Sequence, residues 1–256
     1  MVTVGEIEHF LYALAPRPLV QSWDNVGLLV GRPDREVKRI LVSLDVTEAV
    51  AEEAQRWGAE LIVAHHPVIF GGVKSLTDRD PAGRTLLYLV EHGLAAICMH
   101  TNLDAAAGGV NDLLAGALGL VDAAPVVENG IERVGALPNS LPLPDFLARI
   151  KEALRPNGIR FVDGGRPVHC VAVGGGACGD FFPRAAALGC DTFVTADVKY
   201  HQFLDAQALG LSLIDAGHFP TENLVCPELL AALGRRFPEL ELRQSGCHGE
   251  VIQYYL

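Results

Sequence analysis

The chain has 256 residues, half of them hydrophobic, and a net charge of -11 from 31 acidic and 20 basic side chains. A chain of this length buries enough apolar surface to fold without disulfide staples, as one large or two small domains. The acidic balance argues against a dedicated nucleic-acid binder, which needs a basic face, and suits a protein that concentrates divalent cations.

The six cysteines (Cys98, Cys170, Cys178, Cys190, Cys226, Cys247) are scattered without a C-x-x-C pair. They are expected to be reduced and mostly buried, as in a cytoplasmic protein. Cys247-His248 lacks the partner pair that a structural metal site needs. The opening MVTVGEIEHF carries acids and no basic stretch before an apolar core, so no signal peptide is expected. No apolar run reaches the roughly 18 residues of a membrane span, so no membrane partner is expected either.

Thr3, with Glu6 three residues on, makes a capping box that predicts a first helix. Ile7, Phe10, Leu11 and Leu14 share one face of it, and Pro16 and Pro18 end it. Trp23 and Asp24 stand just before an apolar run, and Asp24-Asn25 reads as a turn because both side chains bond their own backbone. Lys38 to Leu44 reads as a strand, followed by a helix capped by Asp45 or Thr47 and ending at Gly58. Leu61 to Ala64 is a second strand, which makes a parallel strand-helix-strand unit. It delivers His65 and His66 to a turn enforced by Pro67. After a polar loop opened by Gly71-Gly72, a helix from Pro81 to Gly93 leads into a third strand, LAAICM, ending in His100-Thr101-Asn102-Leu103-Asp104. A helix opened by glycine follows around Val110 to Leu118. From Leu120 to Pro167 the pattern is less regular, with a helix at Asp145 to Leu154 between short strand-like pieces. That stretch reads as a lid or a subunit contact.

The chain also contains an internal similarity. RILVSLDV...RWGAELIVAHH (Arg39 to His66) lies on CVAVGGGA...ALGCDTFVTAD (Cys170 to Asp197) without a gap, and His92 to Asp104 lies on Leu209 to Thr221. The expected fold class is therefore α/β: two similar, pseudo-symmetric halves from an internal duplication, residues 1–125 and 126–256, the second including the irregular 126–167 segment. In open α/β sheets functional groups collect at the carboxyl ends of strands. Those ends carry His65-His66, His100 and Asp104 in one half, and Asp197 to His201 and His218 to Glu222 in the other. A cleft between the halves would gather them.

Three imidazoles and two carboxylates can hold two ions that share carboxylate bridges. In that arrangement His65, His66 and His218 cap the ions and Asp104 and Glu222 bridge them. The His218-x-x-x-Glu222 spacing puts both side chains on one face. Each residue also has a local reading: Asp104 as a helix cap, Glu222 as a first-turn acid, His218 as a turn residue. Gly174-Gly175-Gly176 after a strand is either a phosphate loop or a tight turn.

The strings WDNVGLLVG, AHHP, HTNLDAAAGGVND, TADVKYHQ and DAGHFPTEN resemble, over nearly the whole chain, the Nif-three-like family of dinuclear-metal hexameric proteins, commonly labelled GTP cyclohydrolase I type 2. The resemblance implies two divalent metals bound by His65, His66, Asp104, His218 and Glu222. It also implies two similar α/β halves and a toroidal homohexamer with the metal sites facing an internal cavity. This chain resembles the short form, without the domain that some members insert mid-chain. The His100-x-x-x-Asp104 spacing looks like the family's, which makes His100 a supporting residue. Where many relatives have paired histidines this chain departs with Tyr200-His201, so the resemblance carries no proton-transfer role over to position 200.

The expected activity is a metal-dependent hydrolysis of a small nucleotide-like molecule by metal-activated water. The family label specifies opening of the guanine imidazole ring of GTP. No G-x-x-x-x-G-K-[ST] loop supports GTP independently. Proton-transfer candidates are His100, Lys199 and His201. The alternative, from a different class, is a non-catalytic metal-binding ring for storage, delivery or scaffolding. A ring that encircles DNA is disfavoured by the charge. Mixed imidazole and carboxylate donors do not distinguish Zn, Mn, Fe, Co or Ni.

Overall fold

A computed structural model of the chain describes residues 1–126 and 130–255. It divides into two compact units, Met1–Ala106 with Val225–Gly249, and Ala107–Leu224 with Glu250–Leu256.

The first unit is built on a five-stranded sheet. Arg39–Ser43, Leu61–Ala64 and Ala95–Cys98 run parallel in sequence order. Glu241–Gln244 adds a parallel strand beside Arg39–Ser43, and Gly27–Val30 an antiparallel one beside Ala95–Cys98. The central strands are buried on both faces, which explains their unbroken apolar runs. Helix Glu48–Trp57 packs Val50, Ala51 and Ala54 against Leu41 and Ile62, with Leu89 of helix Pro81–Glu91 in the same cluster. Thr47, not Asp45, caps helix Glu48–Trp57, accepting from Val50 N, and Gly58 ends it at φ 75°, a left-handed turn that glycine adopts without strain. The Thr3 and Glu6 capping box forms as expected.

The second unit has a six-stranded sheet whose centre is again three parallel strands in sequence order, Val168–Val173, Thr192–Thr195 and Ser212–Asp215. Val171, Val173, Val194 and Ile214 face one helical layer; Ala172, Phe193 and Leu213 face the other. Alternate residues of each strand therefore enter different cores. The two parallel triplets are the segments that align in the sequence. In both units an antiparallel strand from earlier in the chain flanks the third member, Gly27–Val30 in one and Arg160–Val162 in the other. The strand beside the first member is parallel in the first unit and antiparallel in the second.

Two expectations are corrected. The segment after Leu120 is not a separate lid, being part of the second unit's sheet and core. Strand Arg133–Leu141 pairs antiparallel with Val168–Val173, and helix Leu143–Leu154 buries Leu143, Phe146, Ile150 and Leu154 in its core. Residues 127–129 of that segment lie outside the described residues. The chain also does not change units at a single point near residue 125. It changes at Ala106/Ala107, then returns Val225–Gly249 to the first unit, because Glu241–Gln244 pairs with Arg39–Ser43.

Cys98, Cys190 and Cys226 are buried, Cys170 and Cys178 partly so, and none of the six cysteines is in a disulfide. Burial pushes the Cys98 thiol up to about 12, so it stays a neutral small apolar group. Among the described residues no helix is long and apolar enough to cross a membrane.

Candidate metal centre

In the first unit the donors come from the carboxyl ends of three adjacent parallel strands. Asp45 follows Arg39–Ser43, His65 and His66 follow Leu61–Ala64, and His100 follows Ala95–Cys98. Parallel pairing aligns those ends, since Ser43 stands opposite Ala64 and Ala64 opposite Cys98. His65, His66 and His100 each offer a ring nitrogen, and the three atoms lie within 4.8 Å of one another. Asp104 sits one turn on, in helix Thr101–Ala105, buried, with Oδ1 3.4 Å from His65 Nε2.

Each imidazole is held by its other nitrogen. His65 Nδ1 meets the Met99 carbonyl at 2.8 Å, His66 Nδ1 meets Asp45 Oδ1 at 2.7 Å, and His100 Nδ1 meets Asp24 Oδ1 at 2.9 Å. All three partners can only accept, so each Nδ1 carries the proton and donates it. The neutral ring then presents an Nε2 lone pair, the form in which histidine binds a metal. Asp24 also accepts from Thr101 N at 3.0 Å and Thr101 Oγ1 at 2.5 Å. Burial opposes its ionisation, but the hydrogen bonds from His100 and Thr101 outweigh that and hold its carboxyl well below the usual carboxylate range. A cavity of about 430 Å³ lined by Asp45, Thr47, Val68 and Thr85 reaches His66.

The second unit repeats the device. His218 opens the short helix His218–Glu222 after strand Ser212–Asp215, and its Nδ1 meets Asp197 Oδ2 at 2.8 Å. Asp197, beyond the end of strand Thr192–Thr195, holds a left-handed backbone at φ 53°, a cost seen mainly where function requires it. The His218 Nε2 stands 2.9 Å from Glu222 Oε2, and Glu222 is buried. The four-residue spacing therefore does put both donors on one face.

The donor chemistry fits a divalent ion. Two ligands each about 2.1 Å from an ion stand about 3.4 Å apart at the tetrahedral angle and about 3.0 Å apart at a right angle. The His65–Asp104 and His218–Glu222 spacings match these values.

The chain matches, over residues 2–248, the family described as Duf34/NIF3 (NGG1p interacting factor 3). It belongs to that family. A Streptomyces coelicolor relative named GTP cyclohydrolase 1 type 2 homolog is 38% identical over 244 residues, 91% of this chain and 85% of its own. A Helicobacter pylori protein named GTP cyclohydrolase 1 type 2 is 34% identical, over 90% of this chain and 92% of its own. The crystal structure of a Staphylococcus aureus hypothetical protein, SA1388, aligns with a TM-score of 0.92 at 29% identity over 99% of both chains.

In this DUF34/NIF3 chain the first unit brings His65, His66, His100 and Asp104 together, and the second brings His218 to Glu222. His100 stands among the ring donors themselves. Lys199 and His201 are exposed at the start of helix Tyr200–Ala208, where Lys199 N donates to Gln202 Oε1 at 2.6 Å. The residues that sequence reasoning missed are Asp24 and Asp45, read as a local turn and a cap; Asp197 was placed at a functional strand end without a role. The glycine run is a tight turn: Gly175 N donates to Asn111 Oδ1 at 2.8 Å and Gly176 N to Thr221 Oγ1 at 3.0 Å, so those amides are already engaged within the protein.

Proposed function

We propose that the chain is a dinuclear divalent-metal-dependent hydrolase whose ligands are His65, His66, Asp104, His218 and Glu222, acting on a small nucleotide-like substrate. The observation that carries this reading is the tethering of four imidazoles, three by carboxylates and one by a backbone carbonyl, each through Nδ1. Carboxylate-histidine pairs of this kind fix the tautomer and raise the basicity of a ligating nitrogen. Two bound ions would supply Lewis acidity and water activated near neutral pH. The protein's own part is to aim the Nε2 atoms, fix the tautomer that leaves each one facing the ion and bury the carboxylates so that water does not compete for them.

The names of the S. coelicolor and H. pylori relatives support GTP as the first substrate to try. The proposal includes the toroidal homohexamer that the resemblance implies and the cytoplasmic location that the scattered, reduced cysteines imply. Elemental analysis of the purified chain, followed by incubation with GTP and Mn, Fe, Zn, Co or Ni, tests it. Stoichiometric metal with a ring-opened product is the expected result; no product with any of the ions removes the hydrolase assignment.

A metal-holding ring without catalysis is the second reading. It is favoured by His100, whose Nδ1 is tied to Asp24 in the same manner as the ligands. That tether suits a further imidazole donor better than a group that must shuttle protons.

A further inference from the structure

We propose that Trp23 and Phe70 form a stacking platform beside the imidazole cluster, which receives the planar nitrogen heteroaromatic ring of the substrate. The idea deepens the proposed function and rests on it in taking that cluster as the reaction site.

Trp23 is 58% exposed and Phe70 61% exposed. Single exposed aromatics need no explanation, but these two touch each other, with ring centroids 5.9 Å apart and planes inclined at 44°. Both also flank His100, at 6.1 and 6.2 Å, edge-on at 77° and 71°. Their positions are fixed from next door. Asn25 Nδ2 donates to the Ile69 carbonyl at 2.7 Å, which ties the loop of Trp23 to the loop of Phe70. Asp24, between Trp23 and Asn25, binds His100 and Thr101 and so anchors the residue next to the indole. Two loops are thus locked together by the residues adjoining the rings, while more than half of each of the two residues stays open to water. Exposed aromatic residues held in this way match π-stacking of a flat ring, which costs little further ordering on binding.

Size decides between a ring and a protein partner. A stable protein interface buries about 800 Å² on each side. Two aromatic side chains offer about 150–250 Å² each when fully buried, and these are already partly covered. The area suits one or two flat rings. Continuity with His100 places such a ring against the histidine donors of the same unit, where a reacting atom of the ring would be needed.

The test uses metal-loaded full-length protein, with guanosine as the aromatic probe and ribose as its counterpart lacking a base. Calorimetry should show guanosine binding and no measurable ribose binding. W23A should weaken guanosine about tenfold, as for loss of one base-aromatic stack, W23F should recover most of the affinity, and metal content should stay equal. F70A reads the second ring independently of any folding defect at position 23. Absent guanosine binding to the parent protein, equal binding of ribose, or guanosine affinity unchanged in both W23A and F70A would overturn the platform. So would a change in oligomeric mass in W23A with guanosine affinity intact, since the patch would then be a subunit contact. If GTP is not turned over but guanosine binding still depends on Trp23, the hydrolase reading fails and the platform stands.

Discussion

His66 Nδ1 lies 2.7 Å from Asp45 Oδ1, and the pair joins the ends of two adjacent parallel strands, Arg39–Ser43 and Leu61–Ala64. The carboxylate leaves His66 only one tautomer, with its Nε2 lone pair presented to a metal. Asp45→Asn can offer its amide nitrogen to the ring and select the wrong tautomer. Loss of such a partner costs about 10- to 100-fold in metal affinity; Asp45 is half-exposed, so the lower end is expected. Titration with Zn or Mn under chelator competition measures it, and an unchanged affinity would remove Asp45 from the site.

Helix Leu143–Leu154 packs as part of the fold and not as a lid: Phe146 has no exposed surface and sits in the core with Val171, Val194 and Ile214. Phe146→Ala should therefore destabilise the protein by about 3–5 kcal/mol, the transfer and cavity cost of a buried phenyl group. Urea unfolding gives the number. A loss below about 1 kcal/mol is what a loosely packed lid would show, and it would refute the core assignment.

How much could be read in advance follows from where each signal resides. The parallel strands announce themselves because burial on both faces leaves only apolar residues, and the histidines stand out because they end those runs. Asp24 and Asp45 did not, since a short window displays only their turn and cap chemistry. Their partners lie 76 and 21 residues away. Strand Arg133–Leu141 was obscured by Pro138, which cannot donate to a ladder. Its pairing with Val168–Val173 runs to Ala136, breaks, and resumes at Leu141, so the proline falls in the interruption. The return of Glu241–Gln244 to the first sheet has no local signal at all.

Glu53 holds the chain after the last strand through Ser245 Oγ and the amides of Gly246, at 3.0 Å, and Cys247, at 3.2 Å. Partial burial raises its carboxyl pKa, but these hydrogen bonds more than compensate and lower it. A group whose folded pKa is depressed contributes stability above its unfolded value, and loses that contribution as pH falls through the folded value. Glu53→Gln should thus cost about 1 kcal/mol at pH 7, small because the group is partly solvated. The gap between parent and variant should close below the ordinary glutamate range. Melting temperatures across pH 3 to 7 test this, and a gap that persists unchanged at the acid end contradicts it.

Gly176 is the most exacting point of the second donor set. Its φ is 64°, and a Cβ built there would stand 2.0 Å from Glu222 Oε1 and 3.1 Å from His218 Nε2. Neither donor can yield without leaving the other, because His218 is pinned to Asp197 and Glu222 is buried. Gly176→Ala should therefore push the Glu222 carboxylate off its line with His218 and lower metal occupancy at least about tenfold, the scale of a disturbed ligand support. The left-handed backbone adds about 1 kcal/mol of strain, too little to unfold a domain of ordinary stability. Circular dichroism should stay that of the parent while elemental analysis shows the loss. Full metal content in the folded variant would mean that Glu222 does not ligate.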